Sequence, residues 1–134
     1  MTLILDNVES RPGYLHATIS GEFSLRFAQS IYDRVVQQAV QLGLPRVLID
    51  ARNVTGKPSQ EERYAFGLFV ATEQRLLAAR SPELSLHVAV LGRQPLIDPQ
   101  RFGETVAVNR GAKFKESEQL DEVLAWLGVS EAPR

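Results

Sequence analysis

The chain has 134 residues, 44% of them hydrophobic and 23% charged, with 15 Lys+Arg against 16 Asp+Glu and no cysteine. That length and composition describe one folded domain, 1–134, and not a disordered chain. The charge balance argues against a general nucleic-acid binder, and the lack of cysteine removes disulfides, thiolate metal sites, iron–sulfur clusters and cysteine nucleophiles.

A cytoplasmic protein is expected, because Met1 to Asp6 carries no basic leader and no apolar run approaches the ~20 residues of a membrane span. Residues 3–9 and 14–20 read as two strands, the second rich in β-branched and aromatic residues, joined by the turn Arg11-Pro12-Gly13. So short a connection predicts an antiparallel hairpin. Gly21-Glu22-Phe23 ends the strand and Ser24 caps a helix over 25–42, where Ala28, Ile31, Val35, Ala39 and Leu42 form one stripe; Gly43 and Pro45 stop it.

Arg46 to Ala51 holds the continuous apolar run Val47-Leu48-Ile49, the pattern of a strand covered on both faces. Arg52 to Pro58 reads as an irregular loop, and Ser59-Gln60-Glu61-Glu62 as a capping box opening a helix over 60–79. That helix is unusually apolar. Ala65, Leu68, Thr72, Leu76 and Ala79 make a stripe expected to face the sheet, while Phe66, Phe69, Val70 and Leu77 spread around the remaining circumference. Leu86 to Gly92 is another apolar strand, 93–99 a loop with two prolines, and 100–110 a helix stopped by Gly111. Phe114 falls in a short edge strand, a last helix starts at Ser117 with Leu120, Val123, Leu124 and Leu127 on one face, and Glu131 to Arg134 is a frayed tail. The order β-β-α-β-α-β-α-(β)-α predicts an α/β fold: a mixed sheet of four or five strands, hairpin first and right-handed parallel crossovers after it, with about four helices.

Three stretches, Leu15 to Gly21, Arg46 to Arg52 leading on to Pro58, and Arg110 to Phe114 followed by Asp121 to Leu127, resemble in order and spacing the SpoIIAA-like family, relatives of the STAS (sulfate transporter and anti-sigma antagonist) domains. The resemblance spans about residues 3–128 and implies a non-enzymatic domain that acts through protein contacts. It also implies a regulatory serine at the start of the helix after the central strand, phosphorylated by a partner kinase. The chain has no Asp-Ser-Ser-Gly run there, and Thr55 and Ser59 are the hydroxyl residues near that place. At the fold level the family resembles certain lipid-carrier domains, which implies a buried apolar ligand as the alternative function.

Each candidate carries a plainer reading beside the functional one. Ser59 and Thr55 are candidate phosphoacceptors; otherwise Ser59 is a helix cap and Thr55 an exposed loop residue. Asp50, Arg52 and Lys57 gather at the C-terminal end of the central strand, where open α/β sheets place ligands, or form a loop-stabilising ion pair. Phe66, Phe69 and Val70 are a partner or homodimer surface, the lining of an apolar pocket between the 60–79 helix and the sheet, or core. His16 and His87 stand alone inside strands, without ligand spacing to any carboxylate. Glu61 and Glu62 suit a helix N-terminus, and Trp126 a helix-packing anchor. No nucleophile–base, metal, phosphate-loop or dinucleotide motif is present, so no enzyme, no cofactor and no metal are expected.

Overall fold

The computed structural model describes residues 1–130, so the expected tail at 131–134 lies outside the described residues. Strand β1 (Ile4–Arg11) turns through Pro12-Gly13 into β2 (Tyr14–Glu22) and pairs with it antiparallel, Arg11 opposite Tyr14 and Leu5 opposite Ile19. Helix α1 (Leu25–Leu42) begins as its sequence predicts, with the Phe27 amide donating to the Ser24 hydroxyl, and ends at Gly43 in the left-handed region (φ 68°). It crosses to β3 (Arg46–Thr55), which lies parallel to β2; α2 (Gln60–Arg80) then leads to β4 (His87–Leu91), α3 (Phe102–Asn109) to β5 (Phe114–Ser117), and α4 (Leu120–Leu127) closes the order. The sheet runs β1-β2-β3-β4-β5, with every pair after the hairpin parallel. The mixed sheet expected with four or five strands has five, accompanied by four helices among the described residues.

Both faces of the sheet are covered, unequally. One face buries Leu15, Ala17, Val47, Ile49, Ala51 and Val88 against α1 and α2, with Tyr32, Val35, Val70 and Leu77 inserted from the helices. Among the described residues the other face is covered by α4 and Val129 just after it, with Val123 and Leu127 packing on Tyr14, Leu48, Ala89 and Leu91. Alternation along β3 thus sends Leu48 one way and Val47 and Ile49 the other, which is why the run is apolar throughout. Among the described residues no helix is long and apolar enough to cross a membrane.

Two boundaries and one helix orientation differ from the sequence reading. The loop expected over 52–58 is half strand: β3 continues to Thr55, pairing Asn53, Val54 and Thr55 with Ser20, Gly21 and Glu22. A bulge between Thr18 and Ser20 of β2 gives β3 one extra residue, so Arg52 and Asn53 both point outward. Two consecutive polar residues broke the expected alternation without breaking the strand. The last helix starts at Leu120, not Ser117, because Ser117 is the fully buried last residue of β5. The third difference is the rotation of α2. The stripe expected to face the sheet faces away: Thr72 and Ala79 are exposed and Leu76 is 50% exposed, whereas Arg63, Gly67, Val70, Ala71 and Leu77 point inward.

A close helix crossing fixes that rotation. A Cβ on Gly67 would stand 2.6 Å from the Gly103 carbonyl oxygen and 2.9 Å from the Val106 Cβ. Only glycine lets α3 approach this near. In Gly67→Ala the methyl meets backbone, which cannot turn aside, at a cost of about 1–3 kcal/mol, while alanine's helix preference returns at most about 1 kcal/mol. A net loss of about 1 kcal/mol or more is expected in urea unfolding; a midpoint at or above wild type would contradict the crossing.

Candidate functional site

The C-terminal ends of the parallel strands meet the first turns of α2, and the 93–101 segment folds across them. This is the end of an open α/β sheet where helix N-termini and strand ends leave a crevice. A hollow of about 80 Å³ lies there, walled by Ile19, Ile49, Ala51, Val54 and Val90 from the sheet and by Phe23, Ile31, Tyr32 and Phe66 from the α1 side and α2. Pro58, Glu62, Arg63, Leu96, Ile97, Gly103 and Glu116 close it at its polar end.

Arg63 is the polar residue that organises this end. The residue is 9% exposed, and its guanidinium donates to the Leu96 carbonyl at 2.7 Å and the Pro95 carbonyl at 2.8 Å. It thereby ties α2 to the segment carrying the cis Gln94–Pro95 bond. Asp98 in the same segment accepts from the Gln100 and Phe102 amides and so caps α3. Burial pushes the Asp98 carboxyl up, but those two amides, with Arg63 and Lys57 nearby, hold it below the usual carboxylate value. Arg101, in the left-handed region at φ 56°, donates to the Glu116 backbone carbonyl and lies 3.9 Å from both Glu104 and Glu122. The Glu116 amide in turn donates to Glu104 at 2.6 Å. Burial, helped by the Glu104 charge, drives the Glu116 carboxyl up to about 7, against the opposing pull of Arg63 and Arg101.

Ser59 stands on the rim of this end. Its hydroxyl is exposed and accepts from the Glu62 amide at 3.1 Å, while Glu62 accepts from the Ser59 amide at 2.9 Å. The capping box read from the sequence is formed. Thr55 is exposed at the end of β3 and donates to the Gly21 carbonyl at 3.4 Å. Lys57 is exposed in the short connection between them. Asp50 and Arg52 form a bidentate pair at 3.0 and 2.8 Å on the sheet face opposite the hollow. Burial raises the Asp50 carboxyl, and the Arg52 side chain and amide outweigh it, so the group sits below its ordinary value. The structure therefore does not unite the six residues expected at a partner or ligand surface. Lys57 stays at the rim, and Asp50 with Arg52 points to the other side of the sheet.

The aromatic residues of α2 have an internal role. Phe66 and Phe69 form an edge-and-stack cluster with Tyr32, at centroid distances of 5.7 to 6.2 Å, and Phe66 also meets Phe114 at 6.2 Å. Phe66 lines the hollow, whereas Val70 is 0% exposed. Complete burial withdraws Val70 from the expected surface and places it in the core. Burial also raises the Tyr32 hydroxyl far above its ordinary value, with Gln74 donating to it at 3.3 Å. The volume of the hollow bears on the alternative function. Pockets for drug-sized ligands measure about 300–1,000 Å³, so about 80 Å³ between α2 and the sheet gives the lipid-carrier expectation no support.

His16 and His87 lie apart from this end. His16 is half-buried with its Nδ1 unpartnered among the described residues, and burial lowers its pKa. His87 Nδ1 lies 2.9 Å from Arg46 and 3.0 Å from the Ser85 carbonyl, with its ring 5.5 Å from Trp126. Among the described residues no group of three or more His, Asp or Glu side chains converges as a metal site. The sequence reading missed Arg63, Glu104 and Glu116. A usable signal existed for Arg63: it shares the inward stripe of Gly67, Val70 and Leu77, but a charged residue does not count toward an apolar period.

No protein-family profile matches the chain, and no curated protein matches it in sequence. Among solved structures it is similar to an anti-sigma factor antagonist from Mycobacterium paratuberculosis, with 19% identity, a TM-score of 0.53, and 95% of each chain covered. At that identity the likeness establishes the fold.

The pH response of Glu116 follows from its surroundings. Below about pH 4 the carboxyl is protonated in both folded and unfolded chains. As pH rises the unfolded chain loses the proton first, so stability falls until the folded group also ionises near pH 7. Ionisation in the folded protein then costs up to about 3 kcal/mol relative to the unfolded chain. Glu116→Gln is expected to exceed wild type in stability by about 1–3 kcal/mol at about pH 8 and to match it at about pH 4. Thermal melts followed by circular dichroism measure this; an equal difference at both pH values would refute the assignment.

Proposed function

We propose that this chain, which shares the fold of an anti-sigma factor antagonist, is a non-enzymatic regulatory domain that works by binding a protein partner. The observation that carries the reading is the position of Ser59 within that fold. Its hydroxyl is exposed at the first turn of the helix that follows the central strand, beside Thr55 and Lys57. A docking surface there would use the rim residues Lys57 and Ser59 with the end of β3. This reading takes the cytoplasm as the compartment.

The helix N-terminus also explains how a phosphate would act. On Ser59 it would meet the free amides and positive end of α2, but also the carboxylates of Glu61 and Glu62 in the same turn. It would displace Glu62 from the capping box, add negative charge to the rim and change what the rim can bind. Thr55, whose hydroxyl is engaged with the Gly21 carbonyl, is the second candidate acceptor.

Two substitutions separate the cap from the switch. Ser59→Ala removes the cap and is expected to cost about 0.5–2 kcal/mol in stability while retaining the partner. Ser59→Asp keeps a capping oxygen and adds the charge, and is expected to lose the partner. In-cell cross-linking with quantitative mass spectrometry, in the native host, reads both. A partner held equally by wild type and Ser59→Asp would exclude the switch, and the absence of any cross-linked protein would exclude the binding role.

A further inference from the structure

Helix α2 buries one side and leaves an apolar stripe on the other. Leu76 is 50% exposed, Thr72 and Ala79 are exposed, and Ala65 and Leu68 are half-buried on the same face. A helix apolar around its circumference belongs in an interior, yet among the described residues no element of this chain covers this side. The stripe is also charged asymmetrically. Glu61 stands at its start and Arg80 at its end, both exposed, with no ion pair among the described residues.

We propose that a second copy of this chain docks antiparallel on the outward face of α2, about a two-fold axis near Thr72. Charge selects this occupant and this direction. A two-fold interface brings the same patch of both subunits together, so the patch must complement itself when reversed. Reversal about Thr72 sets Ala65 against the partner's Ala79 and Leu68 against the partner's Leu76. It brings Glu61 of each helix within a turn of the other's Arg80, and the helix dipoles oppose. A parallel pair would instead stack glutamate on glutamate and arginine on arginine. Alanine and threonine along the middle permit close approach of the two helices, near the lower end of the usual 8–10 Å. The pairing does not rest on the partner reading above, because its test reads self-association and not the binding of another protein.

The absence of cysteine makes the test clean. Thr72→Cys places one thiol per chain on the axis, and mild oxidation is expected to form a disulfide-linked dimer rapidly. Gln38→Cys, exposed on α1, is expected to stay monomeric under the same treatment. Sedimentation equilibrium of wild type over micromolar concentrations should show a dimer, and Leu76→Arg, a change at an exposed site, should raise its dissociation constant by at least about tenfold without altering the circular dichroism spectrum. Glu61→Lys should weaken the dimer, and Glu61→Lys with Arg80→Glu should restore it. A monomeric wild type, equal cross-linking at both thiol positions, a dimer indifferent to Leu76→Arg, or charge reversal without rescue would each overturn the proposal.

Discussion

The orientation of α2 about its own axis is the constraint on which the rest of the molecule depends. The helix carries apolar residues around its circumference, so burial alone, at about 1.5–3 kcal/mol per large side chain, does not choose which side meets the sheet. Two features choose. Gly67 is the place where α3 can come within contact of the α2 backbone, and the Arg63 guanidinium reaches two carbonyls of the 93–99 segment. Hydrogen bonds to a charged group are worth about 1.5–3 kcal/mol, and a guanidinium buried without them would cost several. The opposite rotation would forfeit both. Once α2 is set, Phe66 and Phe69 meet Tyr32, the hollow closes and Ser59 faces solvent at the rim.

Much of the fold was legible because local and global preferences agree. The hairpin, the Ser24 and Ser59 caps, the Gly43 stop and the two-sided β3 are each written in a few adjacent residues. The illegible parts depend on partners far along the chain. Nothing near Arg52 and Asn53 announces the register shift between β2 and β3 there, and nothing local to α2 announces that α3 will cross it at Gly67 and claim that side of the helix. The candidate site suffered most from this. Ser59 could be placed from four consecutive residues, whereas Arg63, Glu104 and Glu116 come from three elements and are joined through backbone groups that no side-chain pattern reveals.

The polar end of the hollow shows how the fold holds charge where water is scarce. Arg63 and Arg101 spend donors on carbonyls of the 93–97 segment and of β5, and are not paired there with a single dedicated carboxylate. Among the described residues Glu116 consequently sits in their field without a neutralising bidentate partner, and burial prevails over attraction. Backbone carbonyls are fixed by the sheet and the loop, so these arginines bind the architecture together more than they tune one another.

The sole tryptophan lies on the α4 side of the sheet, 5.5 Å from His87, while Tyr32, Phe66, Phe69 and Phe114 cluster on the other side. Each layer therefore carries its own optical label. Indole fluorescence follows the release of an eight-residue helix that, with Val129, covers its face among the described residues, and far-ultraviolet dichroism is dominated by the long helices α1 and α2 opposite. Whether the two signals move together measures whether a sheet with one thick and one thin coat comes apart in a single cooperative step.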